Sequence, residues 1–285
     1  MLVSVIIPTY NRAYLIKDAI DSVLNQSYHD IELLVIDDSS TDSTAEIVQS
    51  YNDERVKYLL NTRTKGAQGA RNTGLYKARG EWIALLDSDD IWLPNKLKTQ
   101  VDYVTNSENN VVGLSTGSAK YDFENQHILH YKIPQKKWHT TEDLLYKNYL
   151  SGFSTFFFKK KIALQFSGFD ERLPAMQDLD FYISMSKIGR VDSIPEVLTY
   201  IREDNDDRIT KNHSLKLDAS YIFYQKYKMH LKKSILLENK AISRLLAYGW
   251  KNNKIKSLRY FHWLFLSLII DRSNLRWILS NMLRK

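Results

Sequence analysis

The first hundred residues alternate short β-branched runs with stretches of helical spacing, and that alternation leaves few folds open. The runs are residues 3–7, 33–36, 56–60 and 82–86. Between them, Ile16, Ile20, Val23 and Leu24 form an apolar stripe at helical spacing. Thr41 or Ser43 is placed to cap a helix running to about Tyr51, and residues 67–78 read as a third helix. The pattern predicts an α/β protein: a Rossmann-like, mostly parallel sheet with right-handed crossovers, flanked by helices.

Further along, the pattern loosens. Strands are expected at 111–115, 128–132 and 155–158, with a short helix over 141–147. A helix is expected from Gln177 to about Ile188, and strands at 191–194 and 197–201 close a domain of residues 1–205. After the polar stretch 203–208 the chain reads as helix to its end, giving a helical C-terminal extension over 206–285.

With 44% hydrophobic and 26% charged residues among 285, the balance is that of a globular chain. The absence of cysteine excludes thiol catalysis, thiolate zinc sites and iron–sulfur clusters, and fits a reducing compartment. The N-terminus lacks a basic n-region and a small-residue cleavage site, so it reads as a strand, not a signal peptide. The longest apolar stretch, residues 260–270, already contains His262 and falls short of the roughly 20 residues of a bilayer span. Residues 1–200 carry net charge −4 and residues 201–285 net +11. The motif-bearing part is therefore acidic, which argues against a nucleic-acid binder.

In open α/β sheets, ligands bind outside the carboxyl ends of the strands. Strand one ends in Pro8-Thr9-Tyr10-Asn11, strand two in Asp37-Asp38-Ser39-Ser40 and strand four in Asp87-Ser88-Asp89-Asp90. Three carboxylates within four residues repel one another, and at least one would hold its proton more tightly if unpaired. A divalent cation relieves this, and oxygen-only ligands suit Mg²⁺ or Mn²⁺. In an extended segment Asp87 and Asp89 project to the same side, so one can hold a metal while the other reaches a neighbouring hydroxyl. The alternative is a solvated acidic turn capping the next helix.

The segment Val3-Ser4-Val5-Ile6-Ile7-Pro8-Thr9-Tyr10-Asn11-Arg12 resembles the opening of family 2 glycosyltransferases, which have the A-type fold. The resemblance continues through Ser22-Val23-Leu24-Asn25-Gln26-Ser27, Glu32 to Asp42, Gly69-Ala70-Arg71-Asn72-Thr73-Gly74 and Gly80 to Asp90. A later block, Gly168-Phe169-Asp170-Glu171 followed by Gln177-Asp178-Leu179-Asp180-Phe181, is also similar. Together the motifs cover about residues 1–202, in the family's order and spacing.

The resemblance implies roles. Pro8, Thr9 and Tyr10 line the nucleotide base pocket, and Asp38 accepts a hydrogen bond from a base N–H. Arg71 and Ser88 lie near the nucleotide, Asp87 faces the ribose, Asp89 holds the metal (Mn²⁺ or Mg²⁺), and Asp178 is the general base, with Asp180 the runner-up. The implied reaction is inverting transfer from a nucleotide-sugar, by resemblance a UDP-sugar, to a hydroxyl of a glycan or lipid-linked saccharide. The implied location is cytoplasmic, peripheral at the inner membrane face. A metal stabilises a diphosphate leaving group, and a sugar hydroxyl needs a positioned base.

Two departures stand out. Gln177 occupies the place where the family commonly has Glu. Arg202-Glu203-Asp204 replaces the family's Arg-x-His, leaving Asp204 or His213 as substitutes. A sugar-phosphate nucleotidylyltransferase would open on a Gly-rich basic loop, yet residues 1–20 contain no glycine. A non-catalytic nucleotide-sugar-binding protein would not need Asp38, Asp87, Asp89 and Asp178 together. Other signals read as structure: His127, His130 and His139 as surface or satisfied histidines, Lys159-Lys160-Lys161 as a solvated turn, and Phe156-Phe157-Phe158 as core. In the basic C-terminal region, the aromatic run 260–266 and a helical face with Leu275, Ile278, Met282 and Leu283 suit a membrane surface, packing on the catalytic domain or a homo-oligomer contact.

Overall fold

The structure is a computed structural model describing residues 1–107, 110–202 and 213–252. The expectations on Glu203, Asp204, the side chain of His213 and residues 260–283 lie outside the described residues.

Strand β1 (Val3–Thr9) is buried at every position and lies between β2 (Ile31–Asp37) and β4 (Trp82–Leu85), parallel to both. Strand β3 (Val56–Leu60) pairs parallel with β2. A parallel strand covered on both faces needs a near-continuous apolar run, as β1, β2 and β4 have, whereas β3 at the edge is half-buried and carries Lys57. Helix α1 (Ile16–Leu24) buries Ile16, Ala19, Ile20 and Val23, which join Val3, Val5, Ile7, Leu33 and Val35 in one core. Helix α3 (Ala67–Lys77) approaches β1 through Gly74, where a Cβ would stand 2.6 Å from Ile6 Cγ2. Helix α2 (Thr44–Gln49) begins after Ser43, but neither Thr41 nor Ser43 caps it. Asp42 does that work, its Oδ1 accepting from the Thr44 N–H at 3.1 Å and the Thr44 hydroxyl at 2.5 Å. One carboxylate oxygen takes both Thr44 donors, using its two lone pairs.

Beyond β4 the sheet turns mixed, in the order β3-β2-β1-β4-β9-β6-β10-β5 among the described residues. Strand β9 (Phe156–Lys159) runs antiparallel to β4 and to β6 (Val111–Asp122). Phe156, Phe157 and Phe158 are fully buried, and Phe157 stacks on Trp82 at 4.7 Å. The strands expected at 191–194 and 197–201 are one strand, β10 (Arg190–Arg202), with a register shift around Pro195. Proline has no N–H for the ladder, so the strand bulges there without ending. Strand β7 (His127–Lys132) pairs with β6, while β5 (Ile91–Trp92) and β8 (Trp138–His139) pair with β10. Helices α4 (Lys96–Thr105) and α6 (Lys160–Gln165) were not anticipated. Lys159–Lys161 is therefore not a solvated turn: α6 starts at Lys160, whose Nζ donates to the Ala78 carbonyl at 2.5 Å.

The chain divides into two compact units. The first comprises residues 1–141, 149–171 and 181–205 and holds the sheet. The second gathers residues 142–148, 172–180 and 206–285, so it includes two short segments from within residues 1–205. Parts of α5 (Thr141–Tyr146) and α7 (Gln177–Ser186) fall in it, together with α8 (His213–Leu231) and α9 (Ile235–Asn252). Leu173, Ala175 and Ala219 form a small core there, with Met176 and Ile222 against it. Among the described residues, no helix is long and apolar enough to cross a membrane.

Candidate active site

The loops after β1 and β2 interlock. Asn11, at φ 50°, accepts the Thr41 N–H at 2.8 Å, and its own N–H donates to Ser40 Oγ at 2.9 Å. Asp37 is consumed structurally: Oδ1 accepts from Ser40 N and Oγ, and Oδ2 from the Tyr58 hydroxyl at 2.6 Å. Asp38 is nearly buried, and its N–H donates to the Thr9 carbonyl at 2.9 Å. Its Oδ1 accepts from Asn61 Nδ2 at 2.6 Å and its Oδ2 from the Gly66 N–H at 2.7 Å. Each oxygen keeps a second lone pair, so the carboxylate is oriented and can still accept. Pro8 and Thr9 are buried, and Thr9 Oγ1 has no hydrogen-bond partner among the described residues. Tyr10 is exposed, with Lys65 Nζ 5.2 Å from its ring centre.

The end of β4 is a turn, not an extended segment, because the Asp90 N–H donates to the Asp87 carbonyl at 3.0 Å. The alternation expected to put Asp87 and Asp89 on one side does not apply to a turn. Asp87 Oδ1 takes a 2.6 Å ion pair from Arg71, whose buried guanidinium also reaches Gln68 Oε1 at 3.0 Å and lies 4.5 Å from the Phe153 ring centre. Ser88 is buried and Asp89 half-buried. Asp90 is the carboxyl that holds its proton more tightly: burial pushes its pKa well up, and Asp89 and then Asp87 push it further.

Two residues outside the acidic motif fix this turn. Ser154 Oγ accepts the Asp87 N–H at 3.1 Å and donates to Asp90 Oδ2 at 2.5 Å. Arg202 donates its N–H to Asp90 Oδ1 and its Nε to the Asp89 carbonyl, both at 3.2 Å, while its guanidinium packs 3.8 Å from the Phe123 ring centre. Nothing local marked Ser154. Arg202 was visible as the first member of the altered Arg-x-His motif.

The block Gly168 to Glu171 clamps the block around Arg71. Asn72 donates to the Phe169 carbonyl at 2.9 Å and to Glu171 Oε1 at 2.7 Å, and its Oδ1 accepts the Phe169 N–H at 2.8 Å. Burial raises the Glu171 pKa, but donors from Thr64, Arg63 and Asn72 outweigh it and bring it to about 2.

Asp178 belongs to the second unit. It is half-buried, with Asn148 Nδ2 donating to Oδ2 at 2.8 Å and the Leu179 N–H to Oδ1 at 2.8 Å. Asp180 is buried, ion-paired to Lys226 at 2.8 Å and hydrogen-bonded by the Tyr227 hydroxyl at 2.8 Å. Asp180 therefore ties α7 to α8.

Among the described residues, no group of three or more His, Cys, Asp or Glu is arranged to enclose a metal ion. The half-buried Asp89 offers hard oxygen chemistry without a closed cage. Mg²⁺-type sites that complete their shell with substrate phosphates have this form. The residues present fit such a metal.

Comparison with known proteins agrees with this geometry. The profile of the glycosyl transferase family 2 matches residues 4–166. Escherichia coli UDP-Glc:alpha-D-GlcNAc-diphosphoundecaprenol beta-1,3-glucosyltransferase WfgD is 38% identical over 185 residues, 65% of this chain and 69% of the relative. The GalNAc(5)-diNAcBac-PP-undecaprenol beta-1,3-glucosyltransferase of Campylobacter jejuni is 32% identical over 243 residues, 83% of this chain and 74% of the relative. The structure of mannosyltransferase PcManGT from Pyrobaculum calidifontis, in complex with GDP-Man and Mn2+, superposes with TM-score 0.62 at 21% identity, over 98% of this chain and 83% of that one. With a mixed sheet flanked by helices and acidic turns at its carboxyl edge, the chain belongs to glycosyl transferase family 2 and is a glycosyltransferase of the A-type fold.

Proposed function

We propose that this enzyme carries out metal-dependent, inverting transfer of a sugar from a UDP-sugar to a hydroxyl of a lipid-linked saccharide, with Asp178 as general base. The carrying observation is the turn Asp87-Ser88-Asp89-Asp90, cross-tied by Ser154 and Arg202 beside the buried Arg71. The UDP-sugar donor is supported by the activity of the Escherichia coli relative, and the lipid-linked acceptor by the activities of both relatives. A divalent metal is supported by the Mn2+ in the related mannosyltransferase structure, and either Mn²⁺ or Mg²⁺ suits an oxygen ligand such as Asp89.

In this reading Pro8, Thr9 and Tyr10 form the base pocket, with Asp38 accepting the uracil N3–H. Asp87 accepts from the ribose, its carboxylate fixed by Arg71, and Ser88 lies against the nucleotide. Asp89 would hold the metal, which when bound would supply positive charge to stabilise a diphosphate leaving group. Asp178 takes the acceptor hydroxyl proton as that oxygen bonds to the anomeric carbon and the bond to UDP breaks on the opposite face. A single displacement inverts the centre and needs no covalent carboxylate. Asp180 is unsuited to this role because Lys226 and Tyr227 occupy it. Residues 1–205 are proposed as the catalytic domain. The basic region 206–285 serves acceptor, oligomer or inner-face membrane contact.

The test is a donor screen with a polyprenyl-diphosphate saccharide acceptor and Mn²⁺, read by product mass and linkage. Asp178→Asn keeps the size of the side chain but removes its basicity. It is expected to lower transfer by at least ~10²-fold, the lower range for a general base, and to leave UDP affinity within a few-fold. Near-normal turnover in Asp178→Asn would remove the assignment. Equal binding of UDP and CDP by calorimetry would remove uracil selection by Asp38.

A further inference from the structure

A four-residue segment far along the chain meets the acidic turn by two routes. Gly152 stands at φ 95° and ψ 172°, a backbone region that is almost exclusive to glycine. A Cβ there would meet no atom within 4 Å, so the demand on this position is conformational and not steric. Gly152 leads into the 3₁₀ turn Phe153–Thr155, which is buried throughout. The far side of this turn is anchored. Thr155 Oγ1 donates to the Gly152 carbonyl at 2.9 Å and lies 2.9 Å from Ser115 Oγ, while Gln100 Nε2 donates to the Thr155 carbonyl at 3.0 Å. Trp92, which follows the acidic turn on β5, donates its Nε1 to the Ser154 carbonyl at 2.6 Å.

Two side chains reach from this anchored segment to the turn Asp87–Asp90. Ser154 Oγ accepts the Asp87 N–H and donates its proton to the Asp90 carboxyl. A hydroxyl has one donor and two lone pairs, so a single side chain fixes both ends of the acidic turn. Ser88 and Asp89, the residues between those ends, are the ones that the donor-site reading sets against the nucleotide and the metal. Phe153 acts one step removed. Its ring centre lies 4.5 Å from the Arg71 guanidinium, which holds the Asp87 carboxylate at 2.6 Å. A ring face attracts a guanidinium while keeping water from it. The backbone and the carboxylate of Asp87 are thus both held from residues 153 and 154, by separate routes.

We propose that residues 152–155 are a positioning element for donor binding: Ser154 sets Asp89 toward the metal of the nucleotide diphosphate, and Phe153, through Arg71, sets Asp87 toward the ribose. The inference rests on the reading of the acidic turn as the donor site. That reading is judged on the parent protein and the positioning role on variants, so the two can fail separately.

The experiment is calorimetric titration of the full chain with UDP, once with Mn²⁺ and once with EDTA, the ratio of the two affinities being the metal gain. Ser154→Ala is expected to cut the metal gain by ~10-fold or more, the scale of leaving buried groups without their hydrogen bond, and to change affinity in EDTA less. Phe153→Leu is expected to do the reverse, lowering affinity in EDTA by ~3-fold and sparing the metal gain. Gly152→Ala strains the backbone without a steric clash and should lower both. Ser115→Ala removes a hydroxyl from the far side of the same segment. It should lower the melting temperature and keep both affinities, as a merely structural Ser154 would also do. Parental metal gain in Ser154→Ala overturns the proposal, and so does an equal loss of metal gain in Ser115→Ala. If Ser154→Ala does not fold, Gly152→Ala decides, and parental affinities there overturn the proposal. A parent that binds UDP with no metal gain ends the metal reading, and parental affinity in EDTA for Phe153→Leu and Gly152→Ala then overturns the positioning role. A parent that binds GDP in place of UDP ends the uridine reading, and the same ratios are taken with GDP. A parent that binds neither overturns both.

Discussion

Glu32 at the amino edge of the parallel strands and Asp90 at the carboxyl edge are both buried carboxyls, and their surroundings treat them in opposite ways. At the amino edge Glu32, opposite Ser4 in the register, accepts from Ser4 Oγ at 2.6 Å, the Arg79 N–H at 2.6 Å, Arg79 Nε at 2.8 Å and Lys57 Nζ at 3.0 Å. Burial pushes its pKa up, but these donors overcome that and hold it at about 2. At the carboxyl edge Asp90 is also buried, and burial with the charges of Asp89 and Asp87 drives its pKa upward against the hydrogen bonds from Ser154 and the Arg202 N–H. Burial alone therefore does not decide the charge state; the sign of what is buried alongside does. One edge is built for stability. The other gathers three carboxyls in one turn, with Arg71 on Asp87 and Arg202 on the turn, and a cluster perturbed in this way marks a candidate functional site.

The largest expected effect separates the edges by activity. Asp89→Ala should lower kcat by at least ~10²-fold, the scale of losing one electrostatic stabiliser, and EDTA should do the same to the parent enzyme. Glu32→Gln, measured beside it, should stay within a few-fold of the parent. Full turnover in EDTA would end the metal assignment, and a hundredfold loss in Glu32→Gln would erase the contrast between the edges.

The next effect reverses the ranking, with stability as the readout. Glu32 has a folded pKa of about 2 against an ordinary value of 4.5. A depressed carboxyl pKa gives stability that is present above the unfolded value and lost as pH falls toward the folded one. Lys57 and Arg79 are partly exposed, which screens the gain, so about 2 kcal/mol is expected. Urea unfolding should show Glu32→Gln less stable by that amount at pH 7, with the difference from the parent shrinking between pH 4.5 and 2. A constant difference over that window would show that the loss is packing, not charge.

How much of this was legible in the sequence follows the same division. In the parallel half each strand is an apolar run ending in a polar turn, so Asp38, Asp87 and Asp89 could be placed at strand ends from spacing alone. The mixed half hides its strands. Residues 116–120 of β6, Thr-Gly-Ser-Ala-Lys, carry no apolar run because the pairing with β7 and β10 organises them. Helix α4 was missed although Leu97, Val101 and Val104 have helical spacing, because Lys96 and Gln100 stand on its buried side. Ser154 follows Gly152, at φ 95°, and lies in a 3₁₀ turn far along the chain from the acidic motif it orders, so no local pattern could assign it. Asp178 and Asp180 looked alike until Lys226 and Tyr227, nearly fifty residues away, distinguished them.

The smallest effect concerns a buried charge that has neither kind of neighbour. Lys96 is fully buried, and its Nζ has no hydrogen-bond partner among the described residues; it lies 3.8 Å from the Trp92 ring centre. Burial drives its pKa well below the ordinary lysine value. The unfolded chain binds a proton that the folded chain resists, so this group's contribution to stability rises with pH between the folded pKa and about 10.4. Methionine has similar length and no ammonium to desolvate. Lys96→Met should therefore be more stable than the parent by about 1 kcal/mol at pH 7, since replacing a poorly compensated buried charge with a hydrophobe is commonly neutral to stabilising. The parent should close that gap as pH rises from 7 to 9, while Asp89-dependent turnover stays in place. A gap independent of pH, or a destabilised Lys96→Met, would mean that the ammonium survives burial on the Trp92 face, and that a ring can stand in for the carboxylate partners found at the amino edge.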